Sequence, residues 1–421
     1  MKTVIAVLGL LAGCSDAAWS GLPGERQSSV GPTPDASVVV SWNELAYEVA
    51  YAEDQFLTFK GQRALAMLNL AIHDALNTVS ERYDRYAYHG RPAVAADPAL
   101  VAAHAAHHML RALYPNATTR LDSLLAEQAA DAKAADAGAA RLGTAVAEAV
   151  LEVRRGDGWD AAGSYVFSQG AGVYQTTPDW NGFVLQPGFR GARPFAVRAV
   201  TQFLPPPPPP LNSTPYARAY AEVMNYGARR SVVRTAEQSA YAVWWLEFAE
   251  GSVNRLTRRL VTERSTDAWQ AARLFALLHV ALYDGYVATW EAKYRYNFWR
   301  PYTAIRVADD GNARTTPDAG WESLLPAPPF PEYVSAHATG CSAAFTLLAS
   351  SWPEQQRFTM TTRTAPPEMP ERSFASFHAA AEECADSRVM LGWHFRFATD
   401  AGLELGQRIA REVIRTQLRR R

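Results

Sequence analysis

The strongest constraint on how this chain can fold is a weak internal duplication of one helical segment. Met67-Leu68-Asn69-Leu70-Ala71-Ile72-His73-Asp74-Ala75 aligns with Leu277-Leu278-His279-Val280-Ala281-Leu282-Tyr283-Asp284-Gly285 at a constant offset of 210 residues, with Leu68/Leu278, Ala71/Ala281 and Asp74/Asp284 matching. In the first copy Leu68, Ala71, Ile72, Ala75, Leu76 and Val79 share one face at helical spacing, which predicts a core helix. Further helical stretches are expected at 98–113, 117–155, 215–229, 234–262, 337–351 and 373–391. A last helix from about Asp400 turns Leu405, Ile409 and Val413 inward and ends in Arg419-Arg420-Arg421, expected to be solvated. Period-two strand patterns are scarce. The expected class is all-α, with two four-helix-bundle-like halves related by a weak internal duplication and long Pro/Gly-rich loops.

The halves are separated by a Gly/Pro/aromatic segment from about Ser164 that ends in six consecutive prolines, Pro205 to Pro210. Proline fixes φ and lacks an N–H, so this run is polyproline II and reads as a rigid crossover rather than as a ligand for a proline-recognition domain. With 48% hydrophobic residues the chain is no disordered polymer, and 41 Lys+Arg against 42 Asp+Glu leave no global pull toward nucleic acid, so any anion site must be local. Lys2 followed by the apolar run Val4 to Ala12 has the layout of a signal peptide, and Leu11-Ala12-Gly13-Cys14 resembles the bacterial lipobox. The expected organisation is a signal at 1–13, a tether at 14–38 beginning at a lipidated Cys14, an N-terminal bundle plus crossover at 39–210 and a C-terminal bundle at 211–421. That predicts an exported, lipid-anchored protein, periplasmic or at the cell surface, in which Cys341 and Cys384 form either a disulfide or two buried thiols.

Three segments of the last third carry chemistry. In Lys293-Tyr294-Arg295-Tyr296-Asn297-Phe298-Trp299-Arg300-Pro301 two cations seven apart would share a helix face, with Pro301 ending the helix near Arg300. In Pro328-Pro329-Phe330-Pro331-Glu332-Tyr333-Val334-Ser335-Ala336-His337 a proline-rich loop enters a helix whose N-cap is Ser335, and the free N–H groups of such a start bind oxyanions beside His337. In Ser387-Arg388-Val389-Met390-Leu391-Gly392-Trp393-His394 the cation and imidazole are six apart, so Gly392 must break the helix for them to meet. Together these are the groups that bind a tetrahedral oxyanion and move protons on it.

Lys-x6-Arg-Pro, Ser-x-His after proline and Ser-Arg-x5-His, in this order, resemble the signature shared by vanadium-dependent haloperoxidases and type 2 phosphatidic acid phosphatases, and the length resembles the haloperoxidase branch. The resemblance implies a vanadate cofactor with His394 as its vanadium ligand. Lys293, Arg300, Arg388, Ser335 and the N–H of Ala336 would hold its oxygens, and His337 would be the acid/base. Lys293 would also polarise bound peroxide. Trp290 and Phe330 match aromatic positions of the chloroperoxidase-type halide pocket. The implied partners are hydrogen peroxide, a halide and a small organic acceptor, without nucleic acid, and with a membrane only through the lipid anchor. Where the family has Pro-Ser-Gly-His this chain has Val334-Ser335-Ala336-His337, and Ala336 would weaken oxyanion binding if that position needs a positive φ.

The competing enzyme is an acid phosphatase using the same groups, with His394 attacking phosphorus through a phosphohistidine and His337 protonating the leaving oxygen. A non-catalytic anion-binding protein is a third reading. His104, His107 and His108, spaced to clasp a metal, are expected to be only a packed or surface helix face. Halide preference, organic substrate and the choice between monomer and homo-oligomer are left open by the sequence.

Overall fold

A computed structural model describes residues 35–93, 95–130, 137–307 and 309–421; Cys14, the expected signal and most of the expected tether lie outside them. In chain order the helices are α1 (Ser37–Asp54), α2 (Lys60–Val79), α3 (Pro98–Leu113), α4 (Thr118–Ala129), α5 (Ala137–Val153), α6 (Thr214–Tyr226), α7 (Ala236–Trp244), α8 (Ala249–Glu263), α9 (Ala268–Tyr296), α10 (Pro301–Arg306), α11 (Ala336–Ser351), α12 (Phe377–Met390) and α13 (Arg396–Thr416). The only sheet among the described residues is the antiparallel pair β1 (Phe358–Thr361) and β2 (Glu371–Phe374), with Phe358 opposite Phe374. The fold is all-α.

The repeated segments become α2 and α9, which pack against each other at the centre of one unit running from Pro34 to Arg421. Helix α2 also meets α1, α3 and α5, while α9 meets α11 and α13, so each copy is the inner helix of its own bundle. Both helices are buried almost all round, polar residues such as Asn69, His73, Asp74, His279 and Asp284 included. The matched aspartates are their loop anchors. Asp74 accepts the backbone N–H groups of Tyr86, Ala87 and Tyr88 at 2.7, 2.7 and 2.9 Å, and Asp284 those of Phe195, Ala196 and Val197 at 2.6, 2.8 and 3.0 Å.

Four helical expectations need correction. The stretch 117–155 is two helices, α4 and α5. The stretch 234–262 breaks at Trp245–Phe248, because the apolar aromatics there pack into the core from an irregular turn. Residues 373 and 374 belong to β2, and α12 starts after Ser376, whose hydroxyl accepts the Ala379 N–H at 3.1 Å. The last helix starts at Arg396, four residues earlier than expected; the basic end beyond it is solvated as expected, with Arg419 and Arg421 exposed while pairing with Asp84, and Arg421 also with Glu81.

Cys341 and Cys384 form a disulfide that ties α11 to α12. The proline run is neither helix nor strand, and the carbonyls of Pro205 and Pro206 accept the hydroxyls of Tyr296 and Tyr333, which joins the crossover to the functional segments. No helix among the described residues is long and apolar enough to cross a membrane.

Candidate oxyanion site

Lys293 lies in the last turn of α9, which stops at Tyr296 because Asn297 takes the left-handed conformation at φ 47°. Arg300 is therefore not on the same helix face, as its spacing suggested, but is the N-cap of α10. The turn between them brings the two cations together all the same: they lie 4.9 and 4.8 Å from the centroid of the Phe330 ring. Trp290, one turn before Lys293, packs on Phe330 at 5.0 Å and edge-on to Phe59 at 4.6 Å, so this wall is aromatic.

Each cation is held by carbonyl groups. Lys293 Nζ donates to Pro331 O and Glu332 O at 3.0 Å each and to Val334 O at 2.6 Å. An ammonium has three donors, so the lysine expected among the oxyanion donors spends them on the loop that leads into α11. Arg300 donates through Nε to Phe330 O at 2.9 Å and through Nη1 to Trp393 O at 2.9 Å, while Nη1 also faces His394 Nε2 at 3.1 Å. Arg388, in the last turn of α12, donates through Nε to Ser387 Oγ and through Nη2 to Trp245 O at 2.8 Å. That carbonyl exists for it because of the break between α7 and α8. Arg300 Nη2 and Arg388 Nη1 are buried without a partner.

Ser335 is the N-cap of α11, its hydroxyl accepting the Ala338 N–H at 3.4 Å. The N–H groups of Ala336 and His337 lie in the first turn, where a helix offers them no internal partner. Ala336 sits inside the helix start and is not among the residues of positive φ, so its methyl group creates no backbone strain and the N–H stays available. Gly392, at φ 77°, supplies the break after α12 that turns His394 back toward Arg300. Trp393 reinforces the turn by donating Nε1 to Leu325 O at 2.9 Å.

His394 is buried, with Nδ1 2.9 Å from Glu332 Oε1, which also accepts the Phe395 N–H at 3.0 Å. His337 keeps part of its surface exposed, stacks on Phe248 at 4.8 Å and directs Nε2 at Leu246 O at 3.3 Å. The bond to a carbonyl makes Nε2 the donor and leaves Nδ1 as an acceptor. Burial, with the charges of Arg300, Lys293 and Arg388, holds His394 well below the usual histidine range, and burial with Arg388 does the same to His337. Both rings are neutral bases. Burial also lowers Arg388 to about 9 and Arg300 to about 10, and pushes Glu332 up to about 8 against the pull of Arg300 and Lys293.

Three buried cations, Lys293, Arg300 and Arg388, thus act on the His394 imidazole, with Glu332 as the carboxyl group at its Nδ1 edge, and two guanidinium donors are left unpaired. An excess of buried donors is costly unless an anion takes them, and this donor set fits a tetrahedral oxyanion such as vanadate. A cleft of about 560 Å³ between α11, α12 and α13, lined among others by Ser342, His378 and Arg411, includes none of these residues.

Glu332 is the functional residue that sequence reasoning missed: a lone carboxylate in a proline-rich loop reads as exposed, and its partner lies 62 residues downstream. His107 pairs with Asp122 of α4 at 2.7 Å and His108 with Glu148 of α5 at 2.5 Å, and no group of metal-ligating residues occurs among the described residues.

Residues 273–420 match the family model described as the VCPO second helical-bundle domain. Vanadium chloroperoxidase of Curvularia inaequalis is 31% identical over 150 residues, a match covering 29% of this chain and only 24% of that relative. A crystal structure of a bacterial vanadium-dependent iodoperoxidase superposes with a TM-score of 0.78 at 23% identity, over 92% of this chain and 98% of that one. The holo form of a bacterial vanadium-dependent chloroperoxidase gives 0.69 at 18% identity, over 84% of this chain and 91% of that one. The resemblance read from the three segments is borne out.

Proposed function

From a chain with the fold of the vanadium-dependent haloperoxidases, we propose an enzyme that holds vanadate and oxidises halide with hydrogen peroxide. The observation that carries this reading is the pair of unpaired buried donors, Arg300 Nη2 and Arg388 Nη1, in the pocket where His394 presents its Nε2. His394 Nε2 would ligate vanadium, while Arg300, Arg388, the Ser335 hydroxyl and the Ala336 N–H take the oxygens and offset their charge. Lys293 contributes its field and, through the carbonyls of Pro331, Glu332 and Val334, the shape of the loop. His337, the partly exposed member, takes a proton from incoming peroxide at Nδ1. Bound vanadate would supply the Lewis-acid centre at which peroxide is activated for attack by halide. Trp290 and Phe330 form the apolar wall on the halide side, and the organic acceptor is a small molecule halogenated by the product.

We further propose export and anchoring through a lipidated Cys14; the Cys341–Cys384 disulfide supports an oxidising compartment. His394→Ala tests the chemistry. It is expected to lose peroxide-dependent halide oxidation by at least a hundredfold. Halide oxidation that survives the substitution contradicts the proposal, and a wild type that hydrolyses phosphate esters but oxidises no halide replaces it with the phosphatase.

A further inference from the structure

Glu332 has no place in the chemistry so far, yet its backbone N–H, its carbonyl and Oε1 are all held, and only Oε2 is buried without a partner. Its side chain is fully buried, its N–H donates to Phe298 O at 2.9 Å, and its carbonyl accepts Lys293 at 3.0 Å. Oε1 sits between His394 Nδ1 at 2.9 Å and the Phe395 N–H at 3.0 Å, so the carboxyl is locked by the same segment whose imidazole it touches. The opposite edge of that ring settles what the contact means. Arg300 Nη1, 3.1 Å from Nε2, is held in place by Trp393 O. A guanidinium donates and never accepts, so Nε2 must carry a lone pair and a neutral ring must carry its proton on Nδ1; Glu332 Oε1, already the acceptor of the Phe395 N–H, is placed to accept that proton too. Both edges fit the same tautomer.

We propose that Glu332 is the positioning residue of His394: by accepting Nδ1–H it holds the imidazole in one tautomer and one orientation, with the Nε2 lone pair aimed into the oxyanion pocket. Carboxylates that accept the distal N–H of a ligating histidine fix its ring and raise its basicity, and their loss weakens binding about 10–100-fold. The inference rests on the oxyanion reading of the site, but its structural half, the tautomer, does not need an anion to be tested.

The experiment compares wild type, Glu332→Gln and Glu332→Ala in the purified full chain, with thermal melting to confirm folding. The side-chain ¹⁵N shifts of His394, assigned by loss of its signals in His394→Ala, report the tautomer, and calorimetric titration with orthovanadate and with inorganic phosphate reports affinity. Glu332→Gln, which keeps a carbonyl acceptor but no charge, is expected to keep the Nδ1–H form and bind vanadate about tenfold more weakly. Glu332→Ala is expected to show mixed tautomers and a loss nearer a hundredfold. An unchanged tautomer and unchanged vanadate affinity in folded Glu332→Ala overturn the proposal; if that variant does not fold, unchanged affinity in Glu332→Gln does so. A wild type that binds neither anion sinks the oxyanion reading, while the ¹⁵N shifts still decide whether Glu332 sets the tautomer.

Discussion

Glu250 carries a fully buried carboxyl on α8, with Oε2 accepting the Tyr286 hydroxyl at 3.2 Å and Oε1 unpaired. Burial pushes it up to about 7. The folded protein then keeps this proton up to about pH 7 whereas the unfolded chain loses it near 4.5, so stability falls as pH rises through that window and stays lower above it. The loss is on the order of 3 kcal/mol. Glu250→Gln, neutral at every pH and still able to accept from Tyr286, is expected to match wild type near pH 4.5 and to exceed it by about 1–3 kcal/mol at pH 8 in urea unfolding. Parallel pH profiles for the two proteins contradict this account. At this scale the sequence is legible where chemistry is local. The Ser335 cap and the Gly392 break follow from neighbouring residues, and both are present. Glu332 and the Trp245 carbonyl are not legible, because each matters through a partner brought up from far along the chain.

Among the elements, α2 and α9 owe their equivalence to a shared duty as well as to shared apolar faces. Removing the carboxylate with Asp284→Ala strands three backbone donors, and a loss of about 3 kcal/mol or more is expected in chemical denaturation, with Asp74→Ala behaving alike. A loss under about 1 kcal/mol in both would show that the anchors are dispensable. The disulfide closes a loop of 43 residues between the helices that carry His337 and Arg388, so chain entropy predicts about 4 kcal/mol lost on reduction or in the double Cys→Ala variant. Equal stability with and without reductant would contradict that. Helical periodicity located the elements well wherever an apolar stripe was unbroken. It misjudged the Lys293–Arg300 segment, since a spacing of seven fits a helix face as readily as a turn that folds both cations onto Phe330. Similarly, Trp244-Trp245-Leu246-Glu247-Phe248 fits a buried helix and a buried turn equally, and only the neighbours choose.

Over the whole molecule a net charge of −1 conceals a pocket with three buried cations, which no global figure reveals. Two bundles put it there. Helices α9, α11 and α12 each deliver one part of the site, and the crossover ties down the loops between them through Tyr296 and Tyr333. The duplicated helix and the three spaced segments made this architecture legible in outline, because both depend on short runs of sequence. The pairing of α2 with α9 and the closing of the loop over Lys293 depend on the whole fold. The most direct test of the central claim is peroxide-dependent oxidation of iodide and bromide by the purified protein, titrated with orthovanadate in the presence and absence of phosphate. Turnover that appears only with vanadate, saturates, and is displaced competitively by phosphate is the predicted result. Halide oxidation independent of vanadate, or none at any vanadate concentration, would contradict the account.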